Sequence, residues 1–350
     1  MKFLGKQWWA AGVLCACAAV SVGLACCGAE RSLDLMRYYA AIGAVGALGA
    51  VAPDKALAAL PGLYERPQPE VRQAALTLAG RLGKDPAAMK TFQGQFAAPE
   101  PDTRRAAAQA CLRFKERGVI DQAALETAAK EALATGKPDA QVEGLWLLAA
   151  TKSEAAFPDA LKLGTAADAR LPRAVLWLVG ESKHAAGEGL ARNVAANKKL
   201  DDLTRSHAVV ALGKLQAKGS LDVLCKMVNE VRTVQNQKVW GITGRLRHDT
   251  VCAIIAIDDP KRAKDLDAVL YSRQPNPEEE ADNVTVICEW LTKIKWTHEL
   301  EEVPGIISQY GPHTQKCLAK MYEALTGKEI GVKLTQDREA HVEPFVVIDD

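Results

Sequence analysis

Large aromatic side chains are scarce: they make up 5% of the 350 residues. β-Branched residues gather only in short stretches such as 251–257. An aromatic-centred sandwich or an extended sheet is therefore poorly supplied, because strands favour those two residue types. Excess charge of either sign is also missing, with 44 basic against 43 acidic side chains and a net +1. So balanced a chain has no overall field to draw in a polyanion, which argues against nucleic acid as a partner. No Gly/Ser-rich or Pro-rich linker divides the chain. The phosphate-cradling GxxxxGK[ST] loop, the GxSxG nucleophile elbow and the HExxH zinc helix are all absent. Histidine is limited to six well-separated positions, and only His298-Glu299 forms a His-Glu pair. These absences leave no candidate catalytic residue, metal site or cofactor.

What the chain does have is one helix written repeatedly. Val71-Arg72-Gln73-Ala74-Ala75-Leu76-Thr77-Leu78-Ala79-Gly80 is matched by the ten residues from Thr103 and by the ten from Thr204. In each, a basic residue precedes small and apolar residues at the same offsets. Looser copies start at Met36, Ala140, Leu171, Arg247, Asn283 and His313, so successive starts are 35, 32, 37, 31, 33, 43, 36 and 30 residues apart. A period in that range marks stacked helix pairs, none of which can bury its apolar face without its neighbours. Offsets four, five, seven and eight, for example Ala75, Leu76, Leu78 and Ala79, fall on one side of a helix and form the predicted core stripe.

The pattern resembles the bacterial HEAT-like repeats, whose second helix often opens with proline or an acid before Val-Arg. Pro67-Gln68-Pro69-Glu70-Val71-Arg72 and Pro99-Glu100-Pro101-Asp102-Thr103-Arg104 fit that opening, and Lys137-Pro138-Asp139 and Leu200-Asp201-Asp202-Leu203 are weaker versions. Proline suits the first turn, where its missing N–H is no loss, and acids suit the positive helix end. The resemblance spans roughly residues 33–327. It implies an all-α solenoid with an unpaired first helix near residues 33–50 and about eight helix pairs after it, and it implies protein binding. Two enzyme groups share the architecture. Deoxyhypusine hydroxylase gathers repeated His-Glu pairs around two irons, and one such pair is too few for that site. Another group attaches bilin pigments, and nothing in this chain singles out that activity.

At the amino terminus, Lys2 and Lys6 precede an apolar run over residues 8–27, and Glu30 and Arg31 restore charge. A basic start followed by an apolar core is an export signal, and the run is also long enough to span a bilayer as a helix. Residues 1–29 are therefore expected to be a cleaved signal peptide, an uncleaved anchor or a lipoprotein signal. Leu24-Ala25-Cys26-Cys27 resembles the last of these, with Cys27 the first choice for lipid and Cys26 the second. Leu14-Cys15-Ala16-Cys17 is a further possibility. In each case the positive charge stays inside, so the repeats are expected outside the cytoplasm, tethered in a bacterial envelope.

Five cysteines follow that segment, Cys111, Cys225, Cys252, Cys288 and Cys317, each alone on an apolar helix face. Small buried thiols are the expectation, and Cys252 with Cys288 is the pair to examine for a disulfide. The interval of 43 residues between Thr204 and Arg247 is the longest, and it carries Arg232, Lys238, Arg245 and Arg247 around Trp240. Such an insertion is expected to emerge as a loop on the binding face, or as an extended helix pair with a solvated loop. Asn283-Val284-Thr285 matches a glycosylation sequon inside an expected helix and is read as chance. Residues 328–350 are expected to form a tail that folds back in part as a cap.

The expected binding patch comes from offset six, which reads Thr77, Gln109, Trp146, Trp177, Val210 and Ala253. Nearby offset two is mostly polar, with Gln73, Arg105, Arg173, Ser206 and Asp249. Trp146 and Trp177 either form an exposed partner site with Arg173, Trp240 and Arg245, or pack between adjacent second helices. Tryptophan and arginine often dominate interface energy. The function expected from the sequence is a non-enzymatic scaffold that binds a protein partner on the inner face of the solenoid, with the membrane reached through the amino terminus; the alternatives are an enzyme or a chromophore- or metal-handling protein with a site between repeats, and a purely structural spacer.

Overall fold

The computed structural model describes residues 40–334, apart from 41, 42, 48, 51, 155, 235, 236, 243, 272–276, 299 and 333. The expected export segment, residues 1–29 with Cys26 and Cys27, lies outside the described residues. Among the described residues no helix is long and apolar enough to cross a membrane.

After helical residues 43–47 and 49–50, the chain runs through eight helix pairs. The first members are α1 (Pro53–Tyr64), α3 (Ala88–Gly94), α5 (Gln122–Ala134) and α7 (Phe157–Lys162), then α9 (Glu188–Ala196), α11 (Leu221–Val228), α13 (Ala263–Tyr271) and α15 (Val303–Ile306). The second members are α2 (Pro69–Leu82), α4 (Pro101–Glu116), α6 (Pro138–Ala150) and α8 (Arg170–Ser182), then α10 (Asp202–Leu215), α12 (Gly244–Ile257), α14 (Pro277–Lys293) and α16 (Pro312–Thr326). The eight second helices contain the sequence repeats from residue 71 onward. Proline occupies the opening turn of α2, α4, α6 and α16, as the local rule requires. In α10 the opening is instead capped by Asp201, whose carboxylate accepts the Thr204 N–H at 2.9 Å.

The chain divides into two compact units, one through Ala160 and one from Leu161. In the first, α2, α4 and α6 pack side by side, each with its own partner, α1, α3 or α5. Leu76 and Leu78 are buried between these layers, and Phe92 meets Phe114 edge-to-face at 5.0 Å between centroids. In the second unit α8, α10, α12, α14 and α16 form the corresponding row, backed by α9, α11, α13 and α15. Its core is built from Val175, Leu176, Leu178, Val209, Leu212 and Ile254.

Successive second helices approach closely where glycine faces alanine. A Cβ on Gly80 would stand 2.9 Å from the Ala110 Cα, and one on Gly213 would stand 2.9 Å from the Ala253 Cα. Gly180 meets Ala211 in the same way at 3.3 Å. Ala110 and Ala211 both sit at offset seven, so Ala253 does too. The copy assigned to Arg247 therefore begins at Leu246, and Arg247 takes the place held by Arg72, Arg104 and Arg205. Its 2% exposure agrees with that place, since Arg104 and Arg205 are also buried. Thr314 likewise aligns with Thr103 and Thr204, all three buried, which moves the last copy forward from His313 by one residue.

The long interval differs from the expected loop. Val231–Val234 (β1) and Gln237–Trp240 (β2) form an antiparallel hairpin, with Val231 opposite Trp240 and Val234 opposite Gln237. The Gly241 N–H extends the ladder by donating to the Glu230 carbonyl at 2.8 Å. Val231, Thr233, Val234, Val239 and Trp240 are strand-favouring types, so among the described residues the helical row carries one two-stranded insertion.

All five described cysteines are free thiols, Cys252 and Cys288 included. Cys111, Cys225 and Cys288 are buried, whereas Cys252 and Cys317 are partly exposed. Asn283 is 3% exposed, so its sequon offers no accessible amide. Past α16, Ile330 is buried, and the tail from residue 335 lies outside the described residues.

Candidate interaction face on the second helices

Five of the second helices open with a polar side chain that ties the helix to a carbonyl shortly before it. Arg72 donates to the Arg66 and Pro67 carbonyls, and Arg104 donates to Ala98 and Pro99 at 2.8 and 2.9 Å. Gln141 does the same to Leu133, Arg205 to Ala195 and Gln315 to Tyr310. Arg72 and Arg104 then reach the acid that opens the next second helix, Glu100 at 2.6 Å and Asp139 at 3.3 Å. The Arg72 bond holds the Glu100 carboxyl below its usual range. These groups satisfy turn carbonyls and fix the spacing of the row, so they are scaffold rather than site.

With the helices held this way, the residues at offsets two and six keep partial or full exposure, apart from buried Ser206. In the first unit, Thr77 and Trp146 are half-buried and Gln109 is exposed. The Arg105 guanidinium lies 4.8 Å from the Trp146 ring centre, within cation–π range. The same arginine approaches Glu143 at 3.4 Å. Burial pushes the Glu143 carboxyl up, opposed by the charges of Arg105 and Arg104. Trp146 is thus half-exposed and is approached by the arginine of the preceding repeat.

In the second unit, Arg173 donates to Thr204 Oγ1 at 2.8 Å and to Asp201 Oδ1 at 2.9 Å. One turn on, Trp177 is half-buried. Val210 is 38% exposed, one of few large apolar side chains so open. His207 is half-buried, and its pKa is lowered by burial, with Arg173 and Arg245 adding to the effect. Ser206 donates to the Asp249 carboxylate across α10 and α12. Arg245 is exposed in the first turn of α12, and Trp240 lies in β2 just before it. Arg247, expected beside these two, is buried instead. Trp146 belongs to the first unit and Arg173, Trp177, Trp240 and Arg245 to the second.

The corrected start changes the offset-six row. Ala253 is buried against Gly213, and the outward position is Cys252, with His248 rather than Asp249 at offset two. His248 Nε2 lies 3.5 Å from Cys252 Sγ, and its Nδ1 lies 3.0 Å from Asn283 Oδ1 on α14. The sequence pattern does not bring out this trio, because a copy starting at Arg247 puts neither His248 nor Cys252 at the outward offsets. The buried arginine at offset one was the signal that could have placed it. Among the described residues no group of three or more His, Cys, Asp or Glu side chains could hold a metal ion.

A family model described as HEAT repeats matches residues 32–113, the stretch that supplies α1, α2, α3 and most of α4. No curated protein matches the chain. Among solved structures, the chain is similar to Kap121p at 12% identity and a TM-score of 0.41, over 77% of this chain and 33% of that one. It is similar to the karyopherin Kap121p bound to the SUMO protease Ulp1p at 13% identity and a TM-score of 0.39, with the same coverage. The chain thus spans about a third of the length of those structures. The first pairs are HEAT-like by the family match, and the helix pairs themselves define the rest as an α-solenoid.

Proposed function

We propose that this chain is a protein-binding scaffold, tethered in the cell envelope through its amino terminus and turning over no substrate as an enzyme. The observation that carries the reading is the open row at offsets two and six. Indoles, arginines and Val210 stand half-exposed there on helices whose opposite faces are buried. Partly exposed aromatic and arginine side chains on a rigid element are the groups that dominate protein interfaces. The proposed contact residues are Trp146 in the first unit, with Arg173, Trp177, Trp240 and Arg245 in the second. Tethering is supported by the basic start and apolar run of residues 1–29, with Cys27, then Cys26, as the lipid-bearing position.

Crosslinking in membranes tests both parts. The protein with Trp146→Ser and Trp177→Ser should keep its melting temperature and lose the partner that the parent captures. A stable double variant that keeps every partner removes the patch. Mass spectrometry of the mature amino terminus tests the tether: a lipid-modified Cys27 or Cys26 supports it, and an unmodified terminus beginning after Ala29 ends the lipid reading.

A further inference from the structure

The trio Cys252, His248 and Asn283 is unused by the scaffold reading. Asn283 Oδ1 carries no proton and can only accept, so the bond at 3.0 Å places the ring proton of His248 on Nδ1. Nε2 is then a free lone pair, and it faces Cys252 Sγ at 3.5 Å. The arrangement has a nucleophile, a base within reach of its proton, and a third group that fixes the tautomer of the base. Its parts are held firmly, since Asn283 is buried on α14 and the other two lie one turn apart on α12. Cys252 itself is partly exposed and stands in the same outward row as Trp177 and Val210.

We propose that Cys252 is an acyl-accepting thiol that captures the acyl group of a thioester or activated ester, with His248 as its base and Asn283 as the positioning residue. Sγ attacks the carbonyl carbon and forms a C–S bond, while the thiol proton passes to Nε2. The bond from carbonyl carbon to the leaving sulfur or oxygen then breaks, and Nε2 returns the proton to that group. The products are one thioester on Cys252 and one free thiol or alcohol, with no net oxidation. Burial and the Asp249 carboxylate push the Cys252 thiol up, so the thiol rests protonated and the base is required during attack. Cys317 is a built-in comparison. It lies 3.7 Å from His313 Nε2, but that nitrogen is shared with the Thr285 hydroxyl at 2.9 Å.

The test uses the full chain and 4-nitrophenyl acetate. The expected result is one nitrophenolate released per chain and acetyl found on Cys252 by peptide mass spectrometry, ahead of Cys317. His248→Gln, which keeps a hydrogen-bonding side chain but no base, should slow acetylation about a hundredfold. Asn283→Asp, which still accepts from Nδ1, should retain most of the rate. Acetylation of another cysteine first, or a folded His248→Gln protein as fast as the parent, overturns the proposal. If His248→Gln lowers the melting temperature, the unaltered protein decides: acetyl on Cys252 ahead of Cys317 supports the proposal, and acetyl on Cys317 first overturns it.

Discussion

Gly213 and Ala253 meet so closely that a side-chain carbon on the glycine would stand 2.9 Å from the alanine Cα. That contact joins α10 to α12 and sets which face of α12 turns outward. Gly213→Ala should therefore lower the melting temperature. The helix-propensity gain of about 1 kcal/mol is outweighed by overpacking of about 1–3 kcal/mol. Gly94 is the control: it is helical, with φ −59° and ψ −26°, and a Cβ there meets nothing within 4 Å. Gly94→Ala should stabilise by about 0.4–1 kcal/mol. Equal effects at the two glycines would mean that the helices are not in contact there.

Leu78 is 5% exposed and Leu147 is fully buried, both on the inner side of second helices in the first unit. Each change to alanine removes three methyl or methylene groups' worth of packing and leaves a void. The expected cost is about 2–5 kcal/mol for each, read from denaturant unfolding. Unaltered stability in both variants would contradict the stripe that both sequence and structure assign.

Arg104 is 7% exposed and holds two turn carbonyls and the opening acid of the next second helix. Arg104→Leu leaves those carbonyls without their donor, so the expected loss is about 3–5 kcal/mol. Arg170, whose side-chain pairing with Asp168 is exposed, should cost under about 1 kcal/mol when changed to alanine. Similar losses at the two positions would show that the buried arginine does not act as a tie.

Glu143 gives a dependence on pH with a definite sign. Burial raises its folded pKa above the ordinary 4.5. The folded protein therefore holds a proton that the unfolded chain gives up, and this group's contribution falls as pH rises through that window. Glu143→Gln has no such proton to lose. Its stability relative to the parent should improve as pH rises from about 4.5 toward neutrality, as measured by thermal melts at several pH values. A relative gain that grows on acidification would show that the carboxylate is favourably paired when charged. Glu100 behaves oppositely: its bond from Arg72 lowers its pKa, so its contribution is lost as pH falls through the folded value.

Most of the fold was legible in the residues. Pro69, Pro101 and Pro138 mark helix starts because proline fits only the first turn without losing a bond. Ala75, Leu76, Leu78 and Ala79 mark the buried side because helical geometry brings those offsets together. The hairpin from Val231 to Trp240 was not read, because its strands are short and lack a glycine-containing turn signal between them. The start at Arg247 was read one residue late. Arginine suits both an exposed and a tied position in sequence, and burial alone tells them apart.

The sequence by itself determined the repeating helix pair, its period and its apolar stripe, since these follow from local propensity and from side chains three and four residues apart. Only the tertiary structure decided what faces outward along the row. The contact of Gly213 with Ala253 turns α12 so that Cys252 and His248 occupy the outward offsets, and Asn283 reaches them from a helix 35 residues away in sequence. The physical reason is that a helix can rotate by one residue and still bury an apolar side. The close approach of neighbouring backbones permits only one such rotation, and residues far apart in the chain supply that constraint.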